Sequence, residues 1–95
     1  MVIGVGVITL RLHDCRSLKV KRGIIKSLIQ RIRNGFNASI AEVSLNDSLT
    51  RAEIGFAMVG NDRRMINSKM DKLIDFTEKL YLAELIETKM EIINL

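Results

Sequence analysis

"NASIAEVSLNDSLTRAEIGFAMVG" (residues 37–60) reads as two strands, 37–45 and 51–60, folded back on each other. The loop between them holds the turn formers Asn46, Asp47 and Ser48. In the second strand Ala52, Ile54, Phe56 and Met58 alternate with Arg51, Glu53, Gly55 and Ala57, which gives one apolar face. A hairpin at the middle of the chain decides the fold, because each flank supplies one strand and one helix.

Upstream, residues 2–12 are rich in Val, Ile and Leu and end in polar "HDCR", a strand and its exit loop. A helix follows over 17–34, with Ser17 as N-cap and Gly35 in the C′ position. Leu18, Ile25, Leu28, Ile29 and Ile32 share its core-facing arc, and Lys21, near that arc, is expected to snorkel from the first turn. Downstream, Asn61 or Asp62 caps a second helix whose apolar residues Ile66, Met70, Leu73, Phe76 and Leu80 recur every three or four positions. "AELIETKMEIINL" (83–95) is a closing strand, with Ile86, Met90 and Ile92 on one face and Glu87, Lys89 and Glu91 on the other.

The order is β-α-β-β-α-β, without proline or a linker, so residues 1–95 form a single domain. Right-handed crossovers turn that order into an α+β, ferredoxin-like fold: a four-stranded antiparallel sheet with two helices on one face. The opposite face carries Thr9, Arg11, Arg51 and Glu53, but also Ile3, Val5 and Val7, a mixture that suggests self-association.

With 47% hydrophobic and 27% charged residues, the chain has the composition of a folded protein rather than a disordered one. No apolar run approaches the ~18 residues needed to span a bilayer, and the N-terminal run lacks a charged leader and cleavage site. A single cysteine, Cys15, offers no disulfide or metal cluster and predicts a cytoplasmic protein.

Charge is distributed unevenly. Residues 1–36 hold eight Lys/Arg against one acid, whereas 37–95 hold seven against ten. Residues 16–36 alone hold seven cations and no acid, although an ordinary solvated helix face mixes signs. Lys19, Arg22, Lys26 and Arg33 fall within about 60° of one another on the helix, a positive ridge some 20 Å long. Such a ridge suits the phosphates of a nucleic-acid backbone. The alternative is a solvated face whose cations pair with acids from elsewhere in the chain. At the helix start, Arg16, Ser17 and Lys19 with the free N–H groups form a candidate anion site, with structural capping as the alternative.

Catalytic signals are weak. His13, Asp14 and Cys15 are adjacent, so their side chains diverge, and no second His or Cys completes a zinc site. "GVG" (4–6) lies inside a strand rather than at a strand-to-helix turn, so it is no dinucleotide motif. Glu42 is expected to pair with a cation of the first helix. The loop 44–52, which holds Asp47, Leu49 and Arg51, is free to contact a partner; the favoured alternative is structural, with Asp47 capping a turn or pairing with Arg51 and Leu49 covering the end of the sheet.

"RSLKVKR" (16–22), "SLIQRIRNGFNASIAEV" (27–43), Asp47, "RAEIGFAMV" (51–59) and "ND" (61–62) together resemble the YlxP-like family of small bacterial proteins. That resemblance implies a ferredoxin-like fold and a gene often found among translation and ribosome-maturation factors. It implies no reaction, cofactor or catalytic residue.

The leading expectation is therefore an accessory factor that binds RNA or a ribosomal particle through Lys19, Arg22, Lys26 and Arg33, with no cofactor and no metal. RNA-recognition motifs share the strand order but stack bases on aromatics of the first and third strands. The outward positions here (Ile3, Val5, Val7, Thr9; Arg51, Glu53, Gly55, Ala57) hold none, so binding would follow backbone and shape. A homodimeric interaction module with no nucleic-acid ligand is the alternative. A third reading, an enzyme acting on a small anion at Arg16–Ser17, lacks paired carboxylates or an oriented base.

Overall fold

The computed structural model describes all of residues 1–95. Its elements are β1 (Val2–Arg11), α1 (Leu18–Gly35), β2 (Ser39–Ser44), β3 (Arg51–Gly60), α2 (Arg63–Lys79) and β4 (Glu84–Asn94). The strands form one antiparallel sheet in the order β2-β3-β1-β4. This is the ferredoxin-like arrangement expected from the sequence.

Both helices start where a side chain can accept from their free N–H groups. Ser17 Oγ accepts from Val20 N–H at 3.1 Å, and Asp62 Oδ1 accepts from Arg64 and Met65 N–H at 2.9 and 3.2 Å. The end of α1 differs from expectation. Gly35 is the last helical residue, no glycine has a positive φ, and the extended Phe36 caps the helix by donating its N–H to Ile32 O. The ring of Phe36 then meets Phe76 of α2 edge to face at 5.6 Å.

One core joins the helices to the sheet. Ile8, Leu10, Ile54 and Phe56 from the strands meet Ile25, Leu28 and Ile32 from α1 and Ile66, Met70 and Leu73 from α2. The two glycines of "GVG" make this packing possible. A Cβ on Gly4 would lie 2.6 Å from Ile66 Cγ2, and one on Gly6 would lie 2.4 Å from the Phe56 ring. Their role is steric: they admit α2 and an aromatic ring to the sheet.

One expectation fails where a residue is added to a strand. The β1–β4 register shifts so that Leu10 faces Leu85 while Thr9 faces Glu87, leaving Ile86 as the extra residue. Leu85 therefore packs against the core in place of Ile86. Met90 keeps its predicted face but is 42% exposed, since β4 is an edge strand. In β2 a similar shift skips Val43, just beyond Glu42, which ordinary alternation from Ile40 already places on the helix side opposite Ile54. Leu18 also falls outside the core cluster, and Ile24 packs against it instead.

Candidate nucleic-acid interface

Helix α1 sorts its residues by face, and its cations go two ways. Lys21, expected to snorkel, is buried with 1% of its side chain exposed. Its ammonium donates to the main-chain oxygens of Leu45 and Asn46 and lies 3.1 Å from Glu42 Oε2. That oxygen is itself buried and has no hydrogen-bond donor aligned on it, so the contact is ionic and oblique. Burying an ammonium is tolerable only when its protons find acceptors. Here carboxylate and carbonyls together tie α1 to the end of β2 and to the loop leading into β3. Glu42 thus pairs with a cation of the first helix, as expected.

Lys19, Arg22, Lys26 and Arg33 are all exposed. The only ion pairs in the molecule are Arg11–Glu84, His13–Glu84 and Lys21–Glu42, so no carboxylate lies within 4.0 Å of any ridge cation. Arg33 is the least free of the four, because its Nη2 donates to Ile40 O at 3.1 Å. Between the ridge and the edge strand runs a groove of about 360 Å³, with Ile25, Ile29 and Ile40 beneath Arg22, Lys26 and Arg33. Beside the ridge, Gly23 leaves the helix surface bare, with nothing within 4 Å of where a Cβ would stand. Sequence periodicity located the ridge; the groove depends on how α1 sits over β2.

At the helix start, Ser17 Oγ is engaged with Val20 N–H, as a structural N-cap would be, and Arg16 and Lys19 flank it in solvent. In the β2–β3 loop the turn is held by Ser48, not Asp47. Ser48 Oγ accepts from the N–H groups of Thr50 and Arg51 at 3.3 and 3.1 Å, and Asp47 makes neither the cap nor the Arg51 pair expected of it.

His13, Asp14 and Cys15 diverge. Cys15 Sγ points to Ser17 O, and His13 Nε2 lies 3.3 Å from Glu84 Oε2 in a cleft of about 440 Å³ beside Tyr81. The imidazole and carboxylate there are 63% and 44% exposed, and nowhere do three His, Cys, Asp or Glu side chains gather for a metal. No helix is long and apolar enough to cross a membrane.

Comparison with known proteins agrees with the fold and bears out the YlxP-like resemblance. The family model described as "Protein of unknown function (DUF503)" matches residues 3–90. The "Uncharacterized protein YlxP" of Bacillus subtilis is 30% identical over 80 residues, which cover 84% of this chain and 87% of that one. Among solved structures, the designed protein Foldit4 superposes over 100% of this chain and 99% of its own, with TM-score 0.52 and 13% identity. A dimeric ferredoxin-like protein from an uncultured marine organism covers 100% and 98%, with TM-score 0.51 and 10% identity. At such identities the likeness is one of fold.

Proposed function

This chain belongs to the DUF503 family of proteins of unknown function, and from its first helix we propose that it is a non-catalytic factor that binds the RNA sugar–phosphate backbone. One observation carries the reading: Lys19, Arg22 and Lys26 stand exposed on one face of α1 without a carboxylate in reach. A solvated helix would offset such charges with acids three or four residues away, and α1 contains none. Phosphates attract such a row by charge and release counterions on binding. Gly23 supports the reading. A glycine in an exposed helix interior costs about 1 kcal/mol relative to alanine, and its bare surface lets a backbone approach closely.

The outer face of the sheet offers no stacking aromatics, since Phe56 points into the core. Recognition would therefore be by shape and charge, with little base readout. The genes associated with YlxP-like proteins make the ribosomal particle the first RNA to test. In sucrose gradients at low salt the protein should travel with ribosomal particles and leave them at high salt. The variant Lys19→Glu/Arg22→Glu/Lys26→Glu should stay at the top of the gradient at both salts. A triple variant that still co-sediments would refute the proposal.

A further inference from the structure

The two edges of the sheet differ. β2 is six residues long and irregular at Val43, and the Arg33 guanidinium occupies the Ile40 carbonyl on its outer side. Sheets commonly protect an edge by such means. β4 runs for eleven residues, carries no proline, and pairs only with β1.

Its open groups follow from the register. In an antiparallel pair each residue directs its N–H and C=O to the same side, and the side alternates along the strand. Leu95 N–H donates to Met1 O at 2.8 Å, and the Met1 amine donates to Leu95 O at 2.9 Å. Counting back along the register, Ile93, Glu91, Lys89 and Glu87 also bond to β1. Thr88, Met90, Ile92 and Asn94 therefore turn their N–H and C=O groups to the open edge. The irregularity at Ile86 ends this ladder.

We propose that β4 is a homodimer interface, pairing antiparallel with β4 of a second copy about a two-fold axis at Met90. Charge selects this register over those with the axis one residue to either side. Glu87, Lys89 and Glu91 lie on the outer face, exposed, and form no ion pair within the chain. With the axis at Glu91, that residue faces its own copy. With the axis at Lys89, like charges meet twice over, Lys89 against itself and Glu87 against Glu91. With the axis at Met90, Lys89 of each copy faces Glu91 of the other, giving two opposite-charge pairs. On the helix side Met90, already 42% exposed, meets its own copy, and Thr88 meets Ile92. The ladder gains about six main-chain hydrogen bonds, and the four-stranded sheets join into one of eight strands. β2 lies at the far edge, so α1 is left uncovered in both copies.

Sedimentation equilibrium tests the interface. The wild-type chain should dimerise, and Lys89→Glu or Glu91→Lys should each weaken the dimer by roughly tenfold or more. The exchange Lys89→Glu/Glu91→Lys should restore it, because opposite charges again face each other. Met90→Pro should give a monomer with an unchanged circular dichroism spectrum, since the Met90 N–H serves no bond within the chain. A wild-type monomer at every concentration would overturn the proposal. So would an exchanged double variant that dimerises no better than either single one.

Discussion

Replacing Lys21 by methionine tests whether the buried cation is what fastens the first helix to the sheet end. Methionine keeps the length and packing of the side chain and removes the charge. Glu42, whose side chain is 16% exposed, is left without its counter-ion, and the Leu45 and Asn46 carbonyls lose a donor. Breaking a buried ion pair by removing one partner costs about 3–5 kcal/mol. Because Glu42 retains some access to water, the lower end applies, about 3 kcal/mol. A domain of this size has a total stability on the order of 5–15 kcal/mol, so the loss is large. With a urea m-value of about 1–1.5 kcal/mol/M, the unfolding midpoint should fall by roughly 2–3 M. The double variant Lys21→Met/Glu42→Leu removes both charges and leaves only loop carbonyls, which water can reach. It should recover most of the loss and lie within about 1 kcal/mol of the wild type. Urea unfolding followed by circular dichroism reads all three proteins. A Lys21→Met midpoint within about 0.5 M of wild type would refute the anchoring role. A double variant weaker than the single one would refute the pairing with Glu42.

Gly6→Ala should destabilise the protein by about 1–3 kcal/mol in the same assay, because the new methyl would meet the Phe56 ring at 2.4 Å. Gly23→Ala should do the opposite and stabilise by about 0.5–1 kcal/mol, since open space surrounds that position on the helix. Ser17→Ala removes the acceptor of the Val20 N–H and should cost about 1 kcal/mol, read as a lowered thermal midpoint.

The fold was legible because its signals are local. Alternation in 51–60, the three-and-four spacing of Ile66, Met70 and Leu73, and the caps at Ser17 and Asp62 are each set by neighbours in the chain. What escaped depends on distant partners. Periodicity placed Lys21 near the apolar arc, but its acceptors Leu45 and Asn46 lie 24 and 25 residues further along, so a surface role was expected for a buried group. Ile86 gave way to Leu85 because of an extra residue in β4, and nothing in a strand's own alternation announces a bulge. Gly35 carries a helix-stop signal, yet Phe36 closes the helix in an extended conformation while its ring packs on Phe76. The candidate interface divides the same way. That Lys19, Arg22, Lys26 and Arg33 share a face followed from helix geometry, whereas the lack of acids around them, and the turn of Arg33 toward Ile40, required the tertiary arrangement.

The salt dependence of RNA binding tests the central claim most directly. Four ridge cations that displace counterions from phosphates predict a log–log slope of about −3 for affinity against salt concentration. Fluorescence anisotropy with a labelled RNA hairpin measures it, and Arg22→Gln should make the slope shallower by about 1. A slope near zero for the wild type, or one that Arg22→Gln leaves unchanged, would contradict the assignment of the α1 ridge as a phosphate-binding surface.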